Sequence, residues 1–301
     1  MIAVDWGSTS LRAYQLNARG EIVERRHAPL GVLACAGRFE AVLREQIRGW
    51  DDTLVILAGM IGSRQGWVEV PYVQCPATAA AVAGGMTRID SPGLSGRNLW
   101  IVPGLTCGGT TPNAWDVMRG EETQVFGLMN HLEARRHLVC MPGTHSKWVL
   151  VRGGCIEVFF TAMTGEVFDL LRKHSLLASL MTEGDGSLDH SAIKQGIARA
   201  RAPGGLLNHL FSVRTSGLMG TLAPTQLASY LSGILIAHEV LDSPWADDLG
   251  GQAIHLIGGS TLLEIYSIVM RELEISVERH DEALAATGIH LLGNLCTGTA
   301  E

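Results

Sequence analysis

Two apolar strands, 136 positions apart, each run into a small-residue turn and leave it as another strand. Ile2-Ala3-Val4 enters Asp5-Trp6-Gly7-Ser8-Thr9-Ser10 and resumes with strand alternation at Leu11–Leu16. Leu138–Met141 enters Pro142-Gly143-Thr144-His145-Ser146-Lys147 and resumes at Trp148–Val151. Gly7-Ser8-Thr9-Ser10 therefore falls over Gly143-Thr144-His145-Ser146. Glycine lets backbone N–H groups converge on an anion, and Ser or Thr hydroxyls add donors. One such turn is most often only a turn. Two facing each other could grip the β- and γ-phosphates of one nucleotide.

Around these turns the pattern is α/β. The opening reads strand-strand-strand-helix-strand: Met1–Val4, Leu11–Leu16, Glu21–Arg26, a helix over Phe39–Gly49, and the buried strand Thr53–Ala58. A Gly-, Pro-, Ser- and Thr-rich stretch at 84–115, broken by a strand at Leu99–Pro103, leads into a helix from Arg119 to about His131. After Trp148–Val151 a further strand is expected at Cys155–Phe160. The later chain is helix-rich, with helices at Gly165–His174, Ser191–Arg201 and Thr225–Leu241, the last read as core or as the face of a homodimer. Two strand-to-helix units close it, Ala253–Ile257 to about Arg271 and Ile275–Arg279 to Leu295. Length suggests two domains, expected at 1–135 and 136–301.

Composition removes whole classes of partner. Twenty-three basic against 30 acidic residues, without a long basic run, argues against nucleic acid. No apolar run reaches the roughly 18–20 residues of a membrane span, and Asp5 interrupts any signal-like segment. Six cysteines without a C-x-x-C pair fit a reducing, cytoplasmic setting. No G-x-G-x-x-G after a strand, G-x-x-x-x-G-K-[ST], G-x-S-x-G or H-E-x-x-H is present, so Rossmann, Walker, hydrolase and zincin readings lose their main support.

The chemistry expected in the turns is phosphate binding. Gly7, Ser8, Thr9, Gly143, Thr144, His145 and Ser146 are candidate nucleotide contacts, and Asp5 ends the first strand where a carboxylate could hold Mg²⁺ or simply cap a turn. Lys147, one of only three lysines, is read as a phosphate-neutralising charge or a solvated surface residue. Gly258-Gly259-Ser260 joins a buried strand to a helix, which suits covering a nucleotide or close strand–helix packing.

Ile2–Arg12, the second turn and Gly258-Gly259-Ser260 together resemble the sugar kinase, Hsp70 and actin superfamily. Leu57–Ser63, Val117–Gln124, Met141–Trp148 and Met163–Glu166 look, more narrowly, like the 2-dehydro-3-deoxygalactonokinase family. That resemblance implies two actin-like (ribonuclease H-like) domains with an interdomain cleft, an N-terminal sugar-binding domain and a C-terminal nucleotide-binding one. It implies ATP with Mg²⁺ as donor and a small-molecule sugar acid as acceptor, phosphorylated at its 6-hydroxyl in galactonate and galactose catabolism. Such kinases place a carboxylate base at a helix start in the first domain. The matching segment offers Glu121, then Glu122 and Asp116, with acidic stabilisation of a helix N-terminus as the competing reading. A keto-acid carboxylate favours arginine, so Arg119 and Arg64 are candidates, and Glu166 could hold a sugar hydroxyl or begin a helix. The alternatives are a kinase of another sugar or sugar acid and a chaperone- or actin-like nucleotide-dependent binding module.

Overall fold

The computed structural model describes residues 1–108, 115–182, 188–246 and 251–298. The part of the expected 84–115 loop that spans 109–114 lies outside the described residues. The chain forms two compact units: unit 1 is Met1–Arg136, Val149–Phe160 and Asp281–Glu301, and unit 2 is His137–Trp148 and Thr161–His280. The first of these boundaries adjoins the expected cut after residue 135. Unlike a single cut, however, the division returns 149–160 and 281–301 to the N-terminal unit.

Unit 1 opens with strands β1 (Ile2–Trp6), β2 (Leu11–Leu16) and β3 (Ile22–Ala28), an antiparallel meander. Every residue of β1 is buried. Helix α1 (Phe39–Gln46) leads to β4 (Leu54–Gly59), parallel to β1 with Asp5 opposite Ala58. Then come β5 (Val73–Gln74), β6 (Ala77–Thr78), helix α2 (Ala79–Gly84), β7 (Thr87–Ile89), β8 (Asn98–Ile101), β9 (Leu105–Gly108), β10 (Trp115–Met118) and helix α3 (Glu121–Met129). The main sheet has the order β3-β2-β1-β4-β8-β7, and a small one β10-β9-β5. Ile2, Val4, Trp6, Leu57, Ile61 and Leu99 share its core, where Trp6 meets Phe39 edge-on at 5.7 Å and donates its indole N–H to Leu30 O at 2.8 Å.

Unit 2 begins at β11 (His137–Met141). Strand β12 (Ser146–Arg152) leaves the unit after Trp148, and β13 (Cys155–Ala162) returns to it at Thr161. Within unit 1, β13 pairs with β6 through Cys155↔Thr78. Helices α4 (Thr164–His174), α5 (His190–Arg201), α6 (Gly205–Leu218) and α7 (Leu227–Leu241) follow, then β14 (Ile254–Ile257), α8 (Ser260–Glu272) and β15 (Val277–His280). The strands of this unit lie in the order β15-β14-β11-β12, with β14 parallel to both of its neighbours. Helix α7 takes the core alternative, with twelve of its fifteen residues buried. The last helix, α9 (Leu284–Thr297), packs in unit 1 against α3 and β1.

Candidate active site

In unit 1 the first turn is held by backbone bonds. Gly7 N–H donates to Ser10 O at 2.9 Å, and Gly7 O accepts from Val32 N–H at 3.1 Å. Ser8 and Thr9 are exposed, so their donors are available to a ligand. Asp5, one residue inside the end of β1, is buried at 9% exposure. It faces Arg12 across the β1–β2 ladder, with Oδ2 at 3.3 Å from Nη1, and Arg12 Nη2 donates to Glu282 Oε2 at 3.0 Å. Burial pushes the Asp5 carboxyl up to about 6; Arg12 pulls against this, and the charges of Glu121 and Glu282 add to it. Two carboxylates, Asp5 and Glu282, thus share the Arg12 guanidinium.

Two glycines make room for this arrangement. Gly59 has φ +92°, and a Cβ there would lie 2.7 Å from Trp6 O. Gly120 has φ +112°, and its Cβ would come within 3.1 Å of Gly59 Cα and 3.9 Å of Asp5 Oδ1. The start of α3 can therefore lie directly against the end of β1. Its first-turn carboxylates satisfy backbone donors: Glu121 Oε2 accepts Arg119 N–H at 3.0 Å and Glu122 Oε2 accepts Gly120 N–H at 2.7 Å. Glu121 is half-buried, whereas Glu122 is fully enclosed, and burial, with Glu121 beside it, pushes Glu122 up to about 8. Arg119 is 8% exposed, lies 4.3 Å over the Tyr72 ring and donates from Nη2 to Val70 O at 2.7 Å. Its Nε and Nη1 have no hydrogen-bond partner.

In unit 2, parallel β11 and β14 end beside one another, and their following turns meet: a Cβ on Gly258 would lie 3.7 Å from Pro142 O. Gly165, in the first turn of α4, packs on the second turn so closely that a Cβ there would fall 2.4 Å from Gly143 O. A pocket of about 430 Å³ opens here, lined by Gly143, Thr144, Thr164, Thr261, Leu262 and Tyr266 among others. Crevices at the carboxyl ends of parallel strands are where open α/β sheets bind ligands. Ser260 and Thr261 begin α8 at this edge.

The turn residues divide by direction. Thr144 and His145 are exposed, and His145 Nε2 contacts Glu166 Oε2 on α4. Ser146 instead turns inward, with its hydroxyl 2.7 Å from Tyr266 Oη. Lys147 is also buried and donates to Thr161 Oγ1 at 2.7 Å. The solvated-surface alternative for Lys147 does not hold. Behind the turn lies Glu239, which accepts from Trp148 Nε1 and Tyr266 Oη, both at 2.8 Å, and from Thr164 Oγ1. Burial raises its pKa while these donors resist the rise.

The other expected residues are scattered. Asp116, on β10, takes Val117 N–H on Oδ1 at 2.7 Å. Arg64 is exposed and 3.6 Å from Glu69. Glu166 belongs to unit 2 with His145, while Arg119 and Arg64 belong to unit 1. Three participants escaped the sequence reading. Arg12 is signalled only by its register opposite Asp5, whereas Glu282 and Glu239 are remote in sequence from what they touch.

Two α/β units, each with a strand-ended glycine turn, make up an actin-like fold. The ADPNP-bound activator of the 2-hydroxyisocaproyl-CoA dehydratase from Clostridium difficile shares this fold over 99% of the chain and 96% of its own, with TM-score 0.55 and 12% identity. The chain belongs to the 2-keto-3-deoxy-galactonokinase family, whose model matches residues 5–292. It is 39% identical over 269 residues to the 2-dehydro-3-deoxygalactonokinase of Escherichia coli (strain K12), covering 88% of this chain and 87% of that one. A Sinorhizobium meliloti crystal structure assigned to the same activity superposes with TM-score 0.87 at 34% identity, over 97% of this chain and 98% of that chain. Among the described residues no helix is long and apolar enough to cross a membrane.

Proposed function

We propose that this protein transfers the γ-phosphoryl group of ATP to the 6-hydroxyl of 2-dehydro-3-deoxy-D-galactonate, giving the 6-phosphate and ADP in the cytoplasm. Family membership supports the substrate class. The observation that carries the chemistry is the buried Asp5, beside the exposed Ser8-Thr9 turn and amid Arg12, Glu121 and Glu282. The carboxylates of this set supply only oxygen, as a hard divalent cation requires. Asp5, with Glu282 beside it through Arg12, would hold Mg²⁺, which when bound neutralises charge on the phosphate oxygens.

In unit 2 the pocket at Gly143, Thr144 and Thr261 is assigned to the nucleotide, with Gly258, Gly259 and Ser260 at its edge and Glu166 orienting His145. Ser146 and Lys147 support the turn from within. In unit 1, Gly7, Ser8 and Thr9 supply phosphate donors. Glu121 is the proposed base: Glu122 is enclosed and pushed up to about 8, so it stays protonated at neutral pH. The 6-hydroxyl oxygen forms the new O–P bond as its proton passes to Glu121, and the bond from the γ-phosphorus to the bridging oxygen breaks to release ADP. Arg119, with Nε and Nη1 unpartnered, suits a planar substrate carboxylate, and Arg64 is the second candidate.

The test is ADP release over a panel of 2-keto-3-deoxy acids and neutral sugars, with the product read by phosphorus NMR. The galactonate-derived acid should give the highest kcat/KM. No ADP above background with that acid at millimolar concentration overturns the assignment.

A further inference from the structure

Away from the glycine turns, unit 2 gathers three histidines and a glutamate on one face of its sheet. His255 on β14 lies opposite Glu278 on β15, and Ile257 lies opposite His280. Alternation along β15 puts residues 278 and 280 on the same face. Arg279 points the other way, donating from Nε to Ser267 Oγ of α8 at 2.7 Å. Val139 of β11 lies opposite His255, so His137, two residues earlier, shares the histidine face.

The side chains converge at ligand spacing. His255 Nδ1 is 3.0 Å from His280 Nε2 and 3.5 Å from Glu278 Oε2, while His280 Nε2 is 3.8 Å from Glu278 Oε1. Donors bonded at 2.0–2.2 Å to one tetrahedral ion stand about 3.2–3.6 Å apart, so small adjustments bring all three onto one centre. An outer partner is already in place. His255 Nε2 is 3.2 Å from His137 Nδ1, and both rings are buried. With Nδ1 given to an ion, His255 can donate its Nε2–H to His137, the arrangement that fixes a ligating imidazole's tautomer and orientation. The Glu278 side chain is 60% exposed, against 6% for His255, so the carboxylate forms the solvent rim through which an ion and its water enter.

We propose that His255, Glu278 and His280 form a binding site for a divalent transition-metal ion of the zinc type, with His137 behind His255. Two imidazole nitrogens and one carboxylate oxygen suit such an ion and leave a position for water. Mg²⁺, which prefers oxygen ligands in octahedral geometry, is the wrong cation here. Bound metal would pin β15, the last strand in the order, to β14.

Zn²⁺ titration of the chelator-treated full chain by calorimetry, with parallel thermal melts, tests this. About one ion per chain should bind saturably and raise Tm, as expected for a ligand of the folded state. Glu278→Gln changes an exposed side chain and should fold normally, yet weaken binding by about 10-fold or more, and His280→Ala should abolish it. Co²⁺ in the wild type should give ligand-field bands without a thiolate charge-transfer band. No saturable binding, unchanged affinity in both variants, a thiolate band, or displacement of Zn²⁺ by millimolar Mg²⁺ each overturns the proposal.

Discussion

Asp5 and Glu122 are carboxyl groups buried for different ends. Asp5 faces Arg12 beside the exposed turn, so removing its charge should damage chemistry more than folding. Asp5→Asn should lower kcat/KM by about 100-fold or more while leaving Tm at pH 7 unchanged or higher; near-wild-type turnover would show that the charge is dispensable. Glu122 is inside the helix start, and its folded pKa of about 8 lies above the ordinary 4.5. Its contribution to stability is therefore fully present below about pH 4.5 and is lost as pH rises through 8. At about 1.4 kcal/mol per pKa unit the span corresponds to roughly 5 kcal/mol at most. Glu122→Gln keeps an acceptor for Gly120 N–H and remains neutral, so its Tm should exceed the wild type's at pH 8 and converge with it near pH 5. Parallel melting curves across that range would contradict this. The sequence showed both residues as acidic groups two positions from a glycine, but not their enclosure, which depends on Gly59 lying under Gly120.

The glycine-rich composition reads at first as turns, and several glycines do serve turns, but others let helices cross. A Cβ on Gly288 of α9 would fall 1.8 Å from Thr123 O of α3, and one on Gly127 of α3 would fall 2.1 Å from Leu284 O. Unit 2 repeats the device, with Gly196 of α5 against Tyr230 O and Gly233 of α7 against Ile193 O, each at 2.3 Å. Gly288→Ala and Gly233→Ala should each cost roughly 1–3 kcal/mol, lowering Tm by roughly 2–10 °C. Gly84→Ala, with open space around it, should not lower Tm. Equal melting of all three would refute the close-crossing account. The periodicity signals worked where strands alternate or are buried on both faces, as at β1, β2, β4 and β11. Helix α6 went unread because Gly204 precedes it, Gly205 opens it, and Leu207, Phe211 and Leu218 lie on its exposed side, so no polar face marks it. Strands β5 and β6, two residues each, carry too short a pattern to show.

At the scale of the whole chain, the two similar turns imply two halves, yet nothing in a linear reading says that the C-terminal segment belongs with the first half. Contacts made after the chain returns decide that: α9 packs on α3 and β1, and Glu282 joins Arg12 beside Asp5. Unit 1 is therefore built from segments far apart in the sequence, Met1–Arg136 with Val149–Phe160 and Asp281–Glu301. A truncated chain ending at His280 would keep every residue of unit 2 but lose the helix that closes unit 1 and one carboxylate of its charge cluster. Hydrogen exchange should register the asymmetry, because local opening follows the loss of buried contacts. Amides of β1, β4 and α3 should lose protection by an order of magnitude or more, while those of β11, β14 and α7 should change far less. Uniform loss through both sets would mean that the units fold as one cooperative body, and full retention in β1 and α3 would mean that α9 is an appendage. With Glu282 gone, Arg12 loses one of its two carboxylate contacts and keeps that to Asp5, so the truncated chain should lose phosphotransfer even where some of unit 1 stays folded.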